Sequence, residues 1–252
     1  MHWIDALVWS GLWLAAAAAA LVAASSRAMG IDPSPQIVVL AFAGTLAVYA
    51  TDRLRDRVRD RGTAPERAAF AERHVVAIAA LAASGGLVAA ACALGAGCEV
   101  AALAALVAAF GLFHRRLKRW TVAKPAYLTF AWTAIAVALP AAHDSTARHS
   151  AWAGSVVGPT ILANVALSNL RDVEGLAGRF GRVRTLRAAA LILFAGLAVA
   201  LLGPPGIRTL AALPLAMGAA VLGFRPSERY GGLAVDGALL AGAALALWLA
   251  RV

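Results

Sequence analysis

Three aspartates recur at every fourth residue in the stretch YATDRLRDRVRDR: Asp52, Asp56 and Asp60. A helix turns about 100° per residue, so this spacing gathers the three carboxylates within roughly 80° of arc. Like charges this close repel unless something positive sits between them. Clustered oxygen donors suit a hard divalent cation, Mg²⁺ above all, which commonly completes its shell with substrate phosphates. The run therefore reads as part of a metal and diphosphate site. The other reading is a solvated helix: Arg53, Arg55, Arg57, Arg59 and Arg61 interleave with the acids, and Asp52–Arg55 and Asp56–Arg59 are i,i+3 pairs.

A second polar constellation lies in ILANVALSNLRDVEGLAGRFGRVRTL, where Asn164, Ser168 and Asp172 repeat the four-residue stripe beside Asn169 and Glu174. Polar and ionisable groups at the end of an apolar segment mark functional sites by default. Gly175, Gly178 and Gly181 break the helix after it, leaving Arg179, Arg182 and Arg184 for anions. Between the two acidic stretches, FHRRLKRWTVAKPAY sets Lys118, Arg119 and Lys124 beside Trp120 and Tyr127. These cations either anchor the chain at a membrane interface or clamp phosphate oxygens. Asp236, just inside the last apolar block, either faces a cavity or snorkels. The outer loop AAHDSTARHS, with His143, Asp144 and His149, reads as solvated polar residues rather than a metal site.

What must position these groups is a set of membrane helices. The 252 residues are 62% hydrophobic, with a mean hydropathy of +0.76, and the charges are confined to gaps between long apolar blocks. Blocks of about 17–22 residues predict an all-α polytopic bundle of about nine spans, near 6–24, 35–51, 74–94, 98–114, 121–141, 152–168, 186–202, 207–223 and 233–250. The chain reads as a single transmembrane domain (1–252), capped by polar segments near 52–73, 114–124, 169–187 and 225–232. The net charge of +10 is not a nucleic-acid signature, because the basic residues crowd into alternate gaps. Only Arg27, Arg148, Arg208 and Arg251 fall on the other face. The positive-inside rule then predicts a multi-pass protein of the inner (plasma) membrane, with the N-terminus cytoplasmic and the C-terminus outside. The first apolar run is expected to be a retained helix rather than a signal peptide. Cys92 and Cys98, at span ends, are expected to be small apolar residues rather than a disulfide. Gly85 and Gly86 fit a close helix hairpin.

Taken in order, these stretches resemble the UbiA superfamily of intramembrane prenyltransferases, which have nine spans and aspartate-rich motifs after spans two and six. Asp52, Asp56 and Asp60 match the first motif, NxxxDxxxD, with Asp52 at the Asn position. HRRLKRWTVAKP resembles the basic linker, and NLRDVEGLAGRFGRVRTL the second motif. In the DxxDxxxD form of that motif Asn169 stands at the first Asp, Asp172 matches the second, and Leu176 replaces the third, with Glu174 two residues away.

The resemblance implies Mg²⁺ as cofactor, held by Asp52, Asp56, Asp60, Asn169, Asp172 and Glu174, with Asp52, Asp56 and Asp172 as the catalytic set. It implies that Arg67, Lys118, Arg119, Lys124 and Arg184 bind the diphosphate of an allylic isoprenoid. Tyr49, Tyr127, Asn164 and Ser168 are further pocket residues. The expected partners are a prenyl diphosphate, a lipophilic and in particular aromatic acceptor, and the lipid bilayer, with no nucleic acid and no obligate protein partner. Two other functions fit the same chain: a membrane terpene cyclase acting on prenyl diphosphate alone, and a non-catalytic relative whose acids are only surface charge.

Overall fold

The computed structural model describes residues 3–117, 123–168, 170 and 179–251, and among these there is no β-strand. In chain order the helices are α1 (Trp3–Ser10), α2 (Leu12–Ala28), α3 (Pro35–Thr63), α4 (Pro65–Arg73), α5 (Val75–Gly95), α6 (Cys98–Leu117), α7 (Ala123–Thr133), α8 (Leu139–His143), α9 (Ser150–Ser168), α10 (Arg182–Leu202), α11 (Pro205–Arg208), α12 (Ala212–Leu222), α13 (Glu228–Tyr230) and α14 (Asp236–Leu249). Single π-helical turns join α7 to α8 (Ala134–Ala138) and α13 to α14 (Gly231–Val235). Alanine-rich sequence supplies the helix propensity. Proline at the first position of α3, α4 and α11 starts each where its missing N–H is not needed.

The long helix α3 carries the aspartate stripe. Its 29 residues extend roughly 43 Å, more than the ~30 Å of a bilayer's hydrocarbon core. The helix is longer than a span needs, and the stripe lies in its C-terminal half. Where the sequence predicts the span to end at residue 51, the helix continues unbroken through the charged run. Thr63 then gives way to α4, which folds back along α3. At the other side, α1 and α2 meet at 67° about Gly11, whose φ of +89° is a left-handed conformation that a side chain would strain. A Cβ there would also stand 3.1 Å from the Tyr49 Cβ. The kink lets α1 lie against the stripe end of α3.

Among the described residues, seven helices are long and apolar enough to cross a membrane, eight if the bent α1–α2 pair is one span. The expected nine are not confirmed among the described residues, where α6 counts as a shorter apolar helix over Cys98–Gly111. Cys92 and Cys98 are unbonded. Packing divides the bundle in two. Around α2, α9, α12 and α14, large side chains such as Leu21, Ile161, Leu213, Met217 and Leu239 are fully buried. Around α3, α5 and α6 the facing residues are mostly alanine and glycine. Gly85 of α5 lets the two helices approach until a Cβ would lie 2.9 Å from the Ala43 carbonyl oxygen. Helix α5 is otherwise thinly covered, with 11% of its apolar window buried.

Candidate active site

The hollow half encloses a cavity of about 1170 Å³. Its bore is walled by small residues, among them Ala47, Ala89, Ala93, Ala101, Ala104 and Ala108, and ends near Leu40, Leu94 and Leu139. Its other end is polar. Tyr49, Asp52, Arg53, Asp56 and Asp60 line it from α3, Arg67 from α4, Lys124 and Tyr127 from α7, Asn164 and Ser168 from α9, and Glu228 and Asp236 from the last two helices. One wall thus carries carboxylates and cations above an apolar channel.

The three stripe aspartates are not equivalent. Asp56 and Asp60 are buried and Asp52 half-buried. Arg67 forks onto Asp60, donating from Nη2 to Oδ1 at 2.7 Å and from Nε to Oδ2 at 2.8 Å. That bidentate pair occupies both oxygens of Asp60 and the guanidinium expected to meet phosphate. The Arg67 backbone N–H donates to Glu228 at 3.3 Å. Arg229 bridges Glu66 at 3.2 Å and Asp5 at 3.6 Å. These contacts tie α1, α3, α4 and α13 together around the polar end, so the charged gaps that bear them meet on one side of the bundle.

Deeper in the wall, the Trp132 indole N–H donates to the Tyr49 hydroxyl at 3.3 Å, with the rings edge-on at 6.3 Å. Asn164 donates from Nδ2 to the Val235 carbonyl at 3.1 Å and to Asp236 Oδ1 at 3.3 Å. The π-helical turn explains this contact, since widening the helix disturbs its carbonyl ladder at Val235 and Asn164 supplies a donor. Asp236 therefore faces the cavity rather than snorkelling.

Of the residues predicted from sequence, Tyr49, Asp52, Asp56, Asp60, Arg67, Lys124, Tyr127, Asn164 and Ser168 come together around one cavity. Arg184 is exposed on α10 and is not among the lining residues. Lys118, Arg119, Asn169, Asp172 and Glu174 lie outside the described residues, as does Leu176. Among the described residues no three acidic, histidine or cysteine side chains group closely enough to hold a metal ion between them. In the outer loop, Asp144 Oδ1 accepts from the Thr146 hydroxyl at 2.6 Å and its N–H at 2.9 Å, closing a local turn. Those bonds hold the Asp144 carboxyl below the usual carboxylate range.

The candidate site residues expected from the sequence do not include Arg53, Arg59, Glu228 and Trp132, which also line the cavity. Arg53 had a usable signal: on the helical wheel it lies within roughly 40° of both Tyr49 and Asp60, on the same face as the stripe. Trp132 and Glu228 had none, because only packing brings α7 and α13 to that wall.

No family model and no curated protein matches the chain. Its fold is similar to a solved structure of digeranylgeranylglyceryl phosphate synthase in membranes, with a TM-score of 0.58 over 98% of this chain and 97% of that one, at 12% identity. The same order of helices thus recurs end to end in both proteins with little sequence in common, and this chain shares the fold of that synthase.

Proposed function

We propose that the chain is an intramembrane prenyltransferase, moving an isoprenoid group from an allylic prenyl diphosphate to a lipophilic acceptor. The observation that carries this reading is a single cavity joining Asp52, Asp56 and Lys124 at one end to an alanine-walled bore at the other. Diphosphate fits the first and a prenyl tail the second. From Asp52 to Leu40, twelve residues of helix span about 18 Å. Four carbon–carbon bonds of an extended chain cover roughly 4–5 Å, so the bore takes three to four isoprene units.

Mg²⁺ belongs to this proposal. Asp52 and Asp56 are hard oxygen donors one helical turn apart on the cavity wall. They fit an ion that takes one or two carboxylates and completes its shell with phosphate. Asn169, Asp172 and Glu174 would join them, and the ion would supply positive charge for the leaving diphosphate. The chain's own residues do the rest. Lys124 donates to phosphate oxygens. Tyr49 and Trp132 present aromatic surface where the allylic carbon becomes cationic, and ring quadrupoles attract cations. The alanine walls keep water from that cation until the acceptor captures it. The positive-inside rule orients the polar end to the cytoplasm.

The test is to incubate the purified protein with prenyl diphosphates of several lengths, with and without acceptor and Mg²⁺, and follow diphosphate release. Release requiring Mg²⁺ and an acceptor is expected, greatest for three or four units. Release without acceptor, giving a hydrocarbon, makes it a cyclase; neither binding nor release at any length makes it non-catalytic.

A further inference from the structure

Among the described residues that line the cavity, Thr45 and Arg53 each keep a buried polar atom without a hydrogen-bond partner, and Arg53 is the charged one of the two. Its Nε is shut off from solvent and has no hydrogen-bond partner among the described residues, although the side chain lines the polar end beside Asp52 and Asp56. A buried N–H without an acceptor is destabilising, more so on a charged group. Neighbouring guanidinium groups are placed differently. Arg67 takes both oxygens of Asp60, Arg61 donates to Glu72 at 2.7 Å, and Arg229 bridges Glu66 and Asp5. Asp60 is engaged by Arg67 at both oxygens and makes no hydrogen bond to the Arg53 Nε. An acceptor entering the cavity supplies that bond.

We propose that Arg53 is a direct ligand of the phosphate oxyanion in this cavity, a fixed cation set into the aspartate stripe that presents its planar fork to two phosphate oxygens. The proposal rests on the prenyl diphosphate reading of the same cavity and adds a residue and a property to it. A guanidinium stays charged at any working pH and matches phosphate in a bidentate geometry that an ammonium does not reproduce. It contributes positive charge without a metal, in a stripe where Asp60 is already engaged. Part of the diphosphate affinity is therefore metal-independent.

The experiment uses the full chain in phosphatidylcholine nanodiscs. Pyrophosphate and a non-hydrolysable farnesyl thiodiphosphate are titrated by calorimetry in Mg²⁺ and in EDTA, with thermal melting read in parallel. Wild type is expected to bind the thiodiphosphate in EDTA as well as in Mg²⁺. Arg53→Gln is expected to weaken binding about 10–100-fold in both, the worth of hydrogen bonds to a charged group, and Arg53→Lys to fall between. Without ligand, Arg53→Gln should melt at or above the wild-type temperature, because it removes a cation whose buried Nε has no acceptor. A structural role predicts the reverse: a lower melting temperature with the ligand-induced shift intact, and that result overturns the proposal. Equal affinity in wild type and both variants overturns it too, while leaving the prenyl diphosphate reading in place. No binding of either probe by wild type removes both.

Discussion

The two halves of the bundle are built from similar residues and do opposite things. Around α2, α9, α12 and α14, occasional large side chains such as Leu21, Ile161 and Leu213 fill the space between alanines, and all three are fully buried. Around α3, α5 and α6, Ile37 and Ile78 are fully buried as well, but alanine and glycine line much of the interior and a cavity of about 1170 Å³ remains. Packing density, not hydrophobicity, distinguishes them, because in lipid the association of helices depends on van der Waals contact and close approach. The packed half is the frame, and the hollow half holds the candidate site. The difference is a matter of a few side-chain volumes, so single substitutions should be able to break it.

The largest expected effect falls at the polar end of the hollow half. Asp56→Ala should lower the rate of prenyl transfer by about 10²–10³-fold, the scale for removing one charge-stabilising group. Steady-state diphosphate release checks this, and unchanged Mg²⁺-dependent release would end the enzymatic reading. In the packed half, Leu213→Ala should reduce stability by at least about 2 kcal/mol through the cavity it leaves. Its activity per folded molecule should stay close to wild type, as measured by melting in detergent alongside turnover. Gly85→Ala probes the seam between α3 and α5. The added methyl meets the Ala43 carbonyl at 2.9 Å, so the helices must separate, at roughly 1–3 kcal/mol, and the melting temperature should fall. Ala104→Phe fills the bore instead. It should shift preference toward shorter prenyl donors by about tenfold, within the range a pocket achieves by adding or removing a few carbons; competition between two donor lengths measures it. Asp144→Asn, in the outer turn, should leave diphosphate release unchanged. The carboxyl there is held low by Thr146, so its contribution is present above the usual carboxylate range and fades as pH falls through the depressed value. The variant should lose that acid dependence of melting and nothing else.

Comparing the two halves also shows where the sequence was legible. Long apolar blocks separated by charged gaps announce a helical membrane protein, and a four-residue repeat of aspartate announces a shared face. The four-residue repeat places Asp52, Asp56 and Asp60 along one side of α3, and all three line the cavity. The pairing of Asp60 with Arg67 was not legible, because α4 had to fold back along α3 to bring them together. Asp236 was undecided from sequence, since a helix end can turn either way until Asn164 and the π-helical turn fix it.

What the sequence by itself determined is the periodicity: which residues share a helix, and which share a face of it. That follows from the fixed 100° step of the backbone, which needs no neighbour. What only the tertiary structure decided is what each face meets. Alanines on α5 and α6 read identically whether they touch lipid, another helix or empty space. Arg53 likewise reads as one more arginine in a charged run until packing closes water away from its Nε. Burial depends on the neighbours that fold brings in, and the local sequence does not contain them.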